Sequence, residues 1–554
     1  MNIIGWAKNG LFLSLCFGSI GLLCVYLMDV DRVRQPASFR ADSQNRMGIQ
    51  SVVAHVDQVF SQQWLAAGLK PADPVDSLTL ARRLALGLSG TIPSVEEIRE
   101  LEKKPAAEQL PWWISRLLED RRTSNYLAER FARALVGVED GPFVIYRRRR
   151  FVSWLADEFA SNRPYDALVR RILTANGLWT DTPAVNFYTR TIVQDSDDPR
   201  PDPVQLAGRT TRAFLGMRID CLQCHDDFLG NVNLGSTAQP AAGTQRDFHS
   251  LAAFFQQAEN SLLGVCNNPN RGAYEVKLLD SSAAETIAPA VPFLPELLVQ
   301  SELNPRLRLA NWVTHPENRP FARATVNRVW ALLFGQSLVQ PIDDIPLAGP
   351  FPPALEILVD DFIKNGYDLQ RLIRIIASTR VFSSDSATGF PVTSAHETNW
   401  AVFPLVRLRP EQVAGAITQS TKLTTVDATS HILTRVVQFG QQNDFVTRFG
   451  DLGENEFQDR GETITQRLLL LNGDMLAERL NSPVDAPLHL NQLSPDLATT
   501  VEVIYLATLT RRPSLNEQSR FVMALKNQAA DQRNLKAVDI YWALINSAEF
   551  RWSH

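Results

Sequence analysis

The chain has 554 residues, of which 45% are hydrophobic and 21% are charged, and its formal net charge is -5. This length exceeds one ordinary hydrophobic core, and this composition excludes a chain that is disordered throughout. The small negative charge gives no general attraction to nucleic acid, so no nucleic-acid partner is expected. Five cysteines are too few for a disulfide scaffold.

The N-terminus carries an apolar segment without charge, residues 11–28, which ends at Asp29. At about 1.5 Å per residue it spans roughly 27 Å as a helix, just enough for a bilayer core. Bulky residues stand where a cleavage site needs small ones, and a lipoprotein anchor at Cys24 lacks a small residue before it. We therefore predict a signal anchor or transmembrane segment over residues 1–28. The polar residues 29–52 predict a linker.

Helical signals dominate the next two hundred residues. A capping box over residues 94–97 predicts a helix start. A second helix is predicted to begin at Tyr165 and to be closed by Gly177 in the C′ position. The Gly-, Ala-, Ser- and Thr-rich residues 230–245 predict a long loop. Alternation over residues 274–278 predicts one strand.

The second half of the chain is also predicted to be helical. A proline-rich passage, residues 289–295, suggests a domain boundary. Apolar stripes at helical spacing follow over residues 321–333 and 355–362, and Asp368 can cap the next helix. A further capping box lies at residues 514–517.

The predicted fold class is therefore mainly α. Two helical domains, residues 53–285 and 296–554, are expected with a small β element between them. They follow the N-terminal transmembrane or signal-anchor helix.

The strongest chemical signal is the run Cys221-Leu222-Gln223-Cys224-His225. Two thiols three residues apart can each add across a vinyl group of haem, and the histidine that follows can bind the iron. With five cysteines and eight histidines in the chain, chance does not readily produce this arrangement.

Three interpretations of the motif remain open. The favoured one is covalent haem c, with Cys221 and Cys224 as attachment points and His225 as the iron ligand. The second is a structural zinc site formed by Cys221, Cys224 and Cys266 with either His249 or His225. The third is a dithiol or disulfide without a metal.

The haem interpretation also predicts where the protein works. Haem is attached covalently outside the bacterial cytoplasm, which agrees with an N-terminal export segment. We expect an envelope protein anchored in the membrane through residues 11–28, with its body exported to the periplasmic side. It would transfer electrons or sense redox state, with a redox protein or an extracellular polymer as candidate partner. The alternative function is a non-haem structural or polymer-binding envelope protein held by a zinc or disulfide staple.

Signatures of common enzymes are missing from the sequence. There is no G-x-x-x-x-G-K-[ST], no H-E-x-x-H and no G-x-S-x-G. The pair Asp343–Asp344 offers two carboxylates, but the prolines around it favour a turn or a helix cap. The sequence therefore leans away from an enzyme and names no catalytic residue.

Short motifs lie in one order along about residues 55 to 550, at residues 80–84, 88–93, 164–166, 183–188, 214–216, 221–226, 251–255, 311–318, 326–330, 333–335, 341–344, 469–474 and 510–513. Together these motifs resemble a planctomycete cytochrome c-like domain protein. The first part of that family has a cytochrome c-like domain of unknown function, and its usual C-terminal partner domain, also of unknown function, follows. The resemblance implies a haem site at the C-x-x-C-H run but no established activity. The family commonly continues the motif as C-H-D-H-P, whereas Asp227 and Phe228 stand at the last two positions here.

Overall fold

Apolar stripes at helical spacing build most elements of the chain. The computed structural model describes residues 43–139, 146–193, 199–236, 238–300, 302–426, 444–450, 453, 457, 461, 463–482, 485–529 and 532–554. The helices up to residue 300 are α1 (Ser43–Ala66), α2 (Ser77–Ser89), α3 (Val95–Glu102), α4 (Ala106–Glu119), α5 (Arg121–Val136), α6 (Arg148–Ala160), α7 (Tyr165–Leu173), α8 (Asn186–Thr189), α9 (Pro203–Thr210) and α10 (Gln245–Ala252). A π-helical turn, Thr211–Leu215, continues α9, and 3-10 turns lie at Pro183–Val185, Asp220–Gln223, Ala253–Phe255 and Pro295–Leu297.

The second half is built in the same way. Its helices are α11 (Pro305–Val313), α12 (Arg319–Phe334), α13 (Pro353–Lys364), α14 (Leu369–Ala377), α15 (Arg380–Ser383), α16 (Ser394–Thr398), α17 (Pro410–Ser420), α18 (Ile464–Asn472), α19 (Asp474–Leu480), α20 (Leu490–Leu493), α21 (Leu497–Leu509), α22 (Leu515–Lys526), α23 (Arg533–Ile545) and α24 (Ala548–Arg551), with a 3-10 turn at Ala486–Leu488. The mainly helical fold class is confirmed.

In the part of the chain that the structure describes, three small antiparallel sheets interrupt the helices. The strands are β1 (Ala258–Ser261), β2 (Gly264–Asn267), β3 (Glu275–Val276), β4 (Glu285–Thr286), β5 (Val406–Arg407) and β6 (Trp552–Ser553). They pair as β1 with β2, β3 with β4, and β5 with β6. The predicted strand contains β3. The β1–β2 hairpin was not predicted, because its short strands carry no sustained alternation of apolar and polar residues.

Helix α1 includes the last ten residues of the predicted linker over residues 29–52. Within the described residues the helix extends from Ser43 to Ala66, and an apolar stripe at four-residue spacing, Val56, Phe60 and Trp64, buries one of its faces in the core. The earlier part of the predicted linker and the predicted anchor, residues 1–28, lie outside the residues that the structure describes. Within the described ranges, no helix is both long and apolar enough to cross a membrane.

Helix caps follow the local rules that the sequence displays. The Ser94 side chain accepts a hydrogen bond from the main-chain nitrogen of Glu97 at 3.0 Å, and the Glu97 carboxylate accepts one from the main-chain nitrogen of Ser94 at 3.0 Å. Asp368 caps α14 through the main-chain nitrogen of Arg371 at 2.9 Å. Each of these caps needs only residues three positions apart, which is why the sequence predicts them.

Gly177 has a different role from the one predicted. Helix α7 already ends at Leu173, so Gly177 is not its C′ residue. Instead the glycine exchanges two main-chain hydrogen bonds with Val265 of β2, at 2.8 and 2.9 Å, with φ at 105°. A nonlocal bridge to a later hairpin, rather than the end of a helix, explains the glycine.

The first and second halves of the chain share one hydrophobic core. A single cluster of buried apolar side chains extends from Val56 to Phe550. The rings of Tyr165 and Phe321 stack across the halves with 5.6 Å between centroids and 8° between planes. Contacts group Ala41–His554 into one compact unit. The predicted domain boundary between residues 285 and 296 stays a prediction. Side chains from before and after this boundary are buried in the same core.

A buried arginine of α11 ties the two halves by hydrogen bonds. Arg306 is 1% exposed, and its Nη1 donates to the carbonyl oxygen of Ala175 at 2.8 Å. Its Nη2 donates to the Asn176 side chain and its Nε to that of Asn267. The guanidinium also lies 4.8 Å from the ring centroid of Tyr188. One side chain from the second half thus satisfies three acceptors of the first.

We predict that Arg306→Met lowers the free energy of unfolding by about 3 kcal/mol, because it leaves the buried carbonyl oxygen of Ala175 and the half-buried side-chain oxygen of Asn267 without their donor. Urea unfolding followed by circular dichroism measures the loss. The control is Arg520→Met on the exposed face of α22, which should change stability by less than about 0.5 kcal/mol. Equal effects of the two substitutions would contradict the assigned role of Arg306.

Candidate functional site

The C-x-x-C-H motif lies on a tight turn with its two thiols outward. The 3-10 turn Asp220–Gln223 is closed by a hydrogen bond from the main-chain nitrogen of Cys224 to the carbonyl oxygen of Cys221, at 3.3 Å. Leu222 is fully buried and anchors the turn in the core. Both cysteines are free and exposed. The buried leucine therefore fixes the turn while both thiols face solvent.

His225 has one ring nitrogen engaged by its own loop. Its Nδ1 lies 2.7 Å from the carbonyl oxygen of Asp226. A carbonyl oxygen can only accept, so Nδ1 carries the proton and Nε2 keeps its lone pair. A hydrogen bond of this kind from the second ring nitrogen is what orients metal-binding histidines in proteins. The arrangement therefore suits Nε2 as a ligand to iron or another metal.

His249 lies beneath the motif and is already bonded at both nitrogens. Its Nε2 lies 3.1 Å from the carbonyl oxygen of Gln223, to which it donates. Its Nδ1 accepts from the hydroxyl of Tyr274 at 2.8 Å. Burial lowers the pKa of His249, although the bond to Gln223 acts in the opposite direction. In this structure His249 supports the turn as a neutral side chain, and no lone pair is left for a metal.

The start of α10 clamps the same loop. The Gln245 main-chain nitrogen donates to Oδ1 of Asp226 at 2.7 Å, and its side-chain amide donates to the carbonyl oxygen of Gln223 at 3.1 Å. The Oε1 of Gln245 accepts in turn from the main-chain nitrogen of Leu279 at 2.8 Å. One glutamine thus joins the motif, α10 and the chain that follows β3.

The chain segment leading into the motif is held by the second half of the protein. Asp343 accepts from Arg212 at 3.0 Å and from Arg218 at 2.8 Å. Burial alone would raise the pKa of Asp343, but Arg218 and Arg212 together hold it below its usual range. Asp344 accepts from the main-chain nitrogen of Arg218 at 3.4 Å. The aspartate pair thus lies in a turn, as predicted, and binds arginines there.

The alternative zinc set is not gathered in this structure. Cys266 lies on β2 opposite Glu259, with its Sγ 4.0 Å from the hydroxyl of Ser261. Throughout the described part of the chain, no three His, Cys, Asp or Glu side chains are grouped to hold a metal ion. His249 and Cys266 therefore do not join the thiols of Cys221 and Cys224 here, and a zinc site stays a prediction.

The electrostatics of Cys221 bear on the dithiol interpretation. Desolvation by the surrounding chain raises the pKa of this thiol, and the carboxylates of Asp227 and Asp220 act in the same direction. Redox-active dithiols depend on a lowered pKa, because the thiolate is the nucleophile. The surroundings of Cys221 thus favour the protonated thiol.

Sequence reasoning missed a cavity of about 300 Å³. Its lining comes from α2, the end of α12 and the β5–β6 sheet, including Arg83, Gln340 and Trp552. Gly335 ends α12 with φ at 79°, and a Cβ there would lie 2.6 Å from Val406 of β5, so glycine permits this close approach. The lining residues are hundreds of positions apart, and no local pattern brings them together.

Two family models match the chain, one in its first half and one in its second half. Residues 55–260, which include the motif, match a family described as a protein of unknown function (DUF1549) and labelled PSCyt2. Residues 305–434 match a second family, described as a protein of unknown function (DUF1553) and labelled PSD1. These matches confirm the coarser part of the sequence resemblance, two domains of unknown function in this order. A label that mentions a cytochrome does not show that haem is bound, and neither match shows a planctomycete source.

No curated protein and no solved structure matches the chain.

The His249 contacts predict a pH-dependent opening of the motif turn. In the unfolded chain His249 takes up a proton near pH 6.5, whereas its pKa in the folded protein is lower. Between these two values only the unfolded form binds the proton, so stability rises with pH. The stabilisation is complete above about pH 6.5 and is lost as pH falls through the folded pKa. Burial, and after it the charge of Asp202, raises the pKa of Tyr274 to about 12. The hydroxyl of Tyr274 therefore stays protonated over this pH range.

Hydrogen exchange of peptides covering residues 220–245 should therefore become faster as pH is lowered from about 7.5 to about 5, after correction for the intrinsic rate. His249→Gln keeps a donor for Gln223 but cannot titrate, so its corrected exchange should depend less on pH. The control is His55→Gln on the exposed surface of α1, which should behave as the wild type. The same pH dependence in all three proteins would show that His249 does not govern the turn.

Proposed function

We propose that this chain is a cytochrome c-like protein that carries one covalently attached haem for electron transfer or redox sensing. Cys221 and Cys224 would be the attachment points, and Nε2 of His225 would be the iron ligand. The observation that carries the proposal is the state of His225. Its Nδ1 donates to the Asp226 carbonyl oxygen at 2.7 Å, which leaves Nε2 available directly after two exposed thiols.

The chemistry of attachment suits the thiols as they stand. Each S–H adds across one vinyl group, so a carbon–sulfur bond forms and the hydrogen goes to the other vinyl carbon, without net oxidation. Free, solvent-facing thiols on one turn are the groups that this addition needs. When bound, the haem supplies reversible one-electron chemistry at its iron.

The residues around the motif would keep the attachment turn in place. Gln245 and His249 both donate to the carbonyl oxygen of Gln223, which lies between the two cysteines. Leu222 anchors the turn from inside the core. These contacts hold the backbone fixed, so that the positions of both cysteines and of His225 are set before the haem arrives.

The proposed setting is the cell envelope, on the periplasmic side. Covalent haem attachment takes place outside the bacterial cytoplasm, and residues 11–28 have the length and composition of an anchor. The candidate partner is a redox protein or an extracellular polymer. The C-terminal region would contribute to docking it.

We predict that the exported full-length protein, made in a host with a haem-attachment system, shows a pyridine haemochrome spectrum and a haem-stained band on a denaturing gel. The double substitution Cys221→Ser with Cys224→Ser should abolish the stained band, because no thioether bond can form. Cys266→Ser is the matched control, since Cys266 lies on the β1–β2 hairpin, and it should stain as the wild type does.

A colourless wild-type protein from a competent host would overturn the proposal. If elemental analysis of that protein found one zinc per chain and Cys266→Ser released it, the structural zinc protein would take its place. A colourless protein without metal, whose Cys221 and Cys224 formed a disulfide, would instead support a disulfide-stapled envelope protein.

A further inference from the structure

Two large apolar side chains stand in solvent next to the motif. Phe228 is 75% exposed and Leu229 is 85% exposed. They follow His225 by three and four residues, on the loop that leads away from the motif towards α10. Single exposed apolar residues are common on proteins, so exposure alone implies nothing. The inference depends on two further observations: the hydrogen bonds that order the turn of Phe228 and Leu229, and the contact of Phe228 with His225.

The turn that presents the pair is ordered by a carboxylate. Asp227 accepts from the main-chain nitrogen of Val232 at 2.6 Å and from that of Leu229 at 3.2 Å. Its own main-chain nitrogen donates to the carbonyl oxygen of Gly243 at 2.9 Å. Since the backbone is bonded on both sides of Phe228, the two side chains point outward from a fixed turn.

Phe228 also lies directly beside the proposed iron ligand. Its ring stacks along the imidazole of His225, with 6.4 Å between centroids and 19° between planes. A porphyrin extends several ångströms from its iron in all directions of its plane. A haem bound at the motif would therefore come within reach of Phe228 and of its neighbour Leu229.

We infer that Phe228 and Leu229 form an apolar cover for the tetrapyrrole bound at Cys221, Cys224 and His225. This inference rests on the proposed function. The pair would shield the porphyrin and the iron from water, and an apolar surrounding favours the less charged, reduced iron. Removing the cover should therefore lower the midpoint reduction potential and speed the reoxidation of reduced haem by air.

The test compares two pairs of exposed apolar residues in the full-length, haem-loaded protein. Phe228→Ser with Leu229→Ser removes the proposed cover. Leu262→Ser with Leu263→Ser removes a matched pair, 98% and 83% exposed, from the tip of the β1–β2 hairpin. Haem staining, the midpoint potential and the air reoxidation rate are measured for each. Thermal unfolding checks that both proteins fold like the wild type.

We expect the hairpin variant to match the wild type in all three measurements. The Phe228→Ser, Leu229→Ser variant should keep its stained band but show a lower midpoint potential and a several-fold faster reoxidation. If this double variant misfolds, the single variants Phe228→Leu and Leu229→Gln replace it, and only the second should shift the potential.

The outcomes separate this inference from the proposal on which it depends. A wild-type protein without haem overturns both. A wild-type protein with haem, together with a cover variant of unchanged potential and unchanged reoxidation rate, overturns the cover alone. Equal shifts in the cover and hairpin variants also overturn it, because the effect would then come from surface polarity in general.

Discussion

The arrangement of the candidate site depends on one carbonyl group, that of Gln223 between the two cysteines. It accepts hydrogen bonds from two side chains of α10, the Nε2 of His249 and the amide of Gln245, each at 3.1 Å. A carbonyl oxygen has two lone pairs, so these donors saturate it. Because both donors come from one helix, the direction of α10 fixes the backbone of the motif, and with it the directions in which Cys221 and Cys224 leave the turn.

The site also depends on the second half of the chain, although the motif lies in the first. The carbonyl oxygen of Gly216 accepts from the main-chain nitrogen of Ile345 at 2.6 Å, and Asp343 binds the two arginines that flank this glycine. A Cβ on Gly216 would lie 3.1 Å from side-chain atoms of both Ala324 and Ile345, which leaves little room for another residue. The two regions that match these families therefore contact each other just before the motif. A substitution in the second region can consequently alter the backbone that leads into the motif.

Sequence patterns predicted the features that depend only on residues close together in the chain. The caps at Ser94 and Asp368 need a partner only three residues away, and the motif is a run of five residues. The same patterns did not predict contacts in which the partner residue lies far away in the sequence. Gly177 pairs with a hairpin almost ninety residues later, and His249 is occupied by Gln223 and Tyr274, which no spacing rule connects. The helical class was thus predictable, whereas the supports of the candidate site were not.

Two residues differ from the C-H-D-H-P run that the sequence resemblance implies, and the structure shows which contacts these two residues make. In place of that second histidine stands Asp227, whose two carboxylate oxygens accept from the main-chain nitrogens of Val232 and Leu229. A neutral imidazole has one acceptor nitrogen and could not close the turn in this way. In place of the proline stands Phe228, whose ring lies along the imidazole of His225. Asp227 and Phe228 therefore give a closed turn that holds an aromatic ring beside the imidazole of His225.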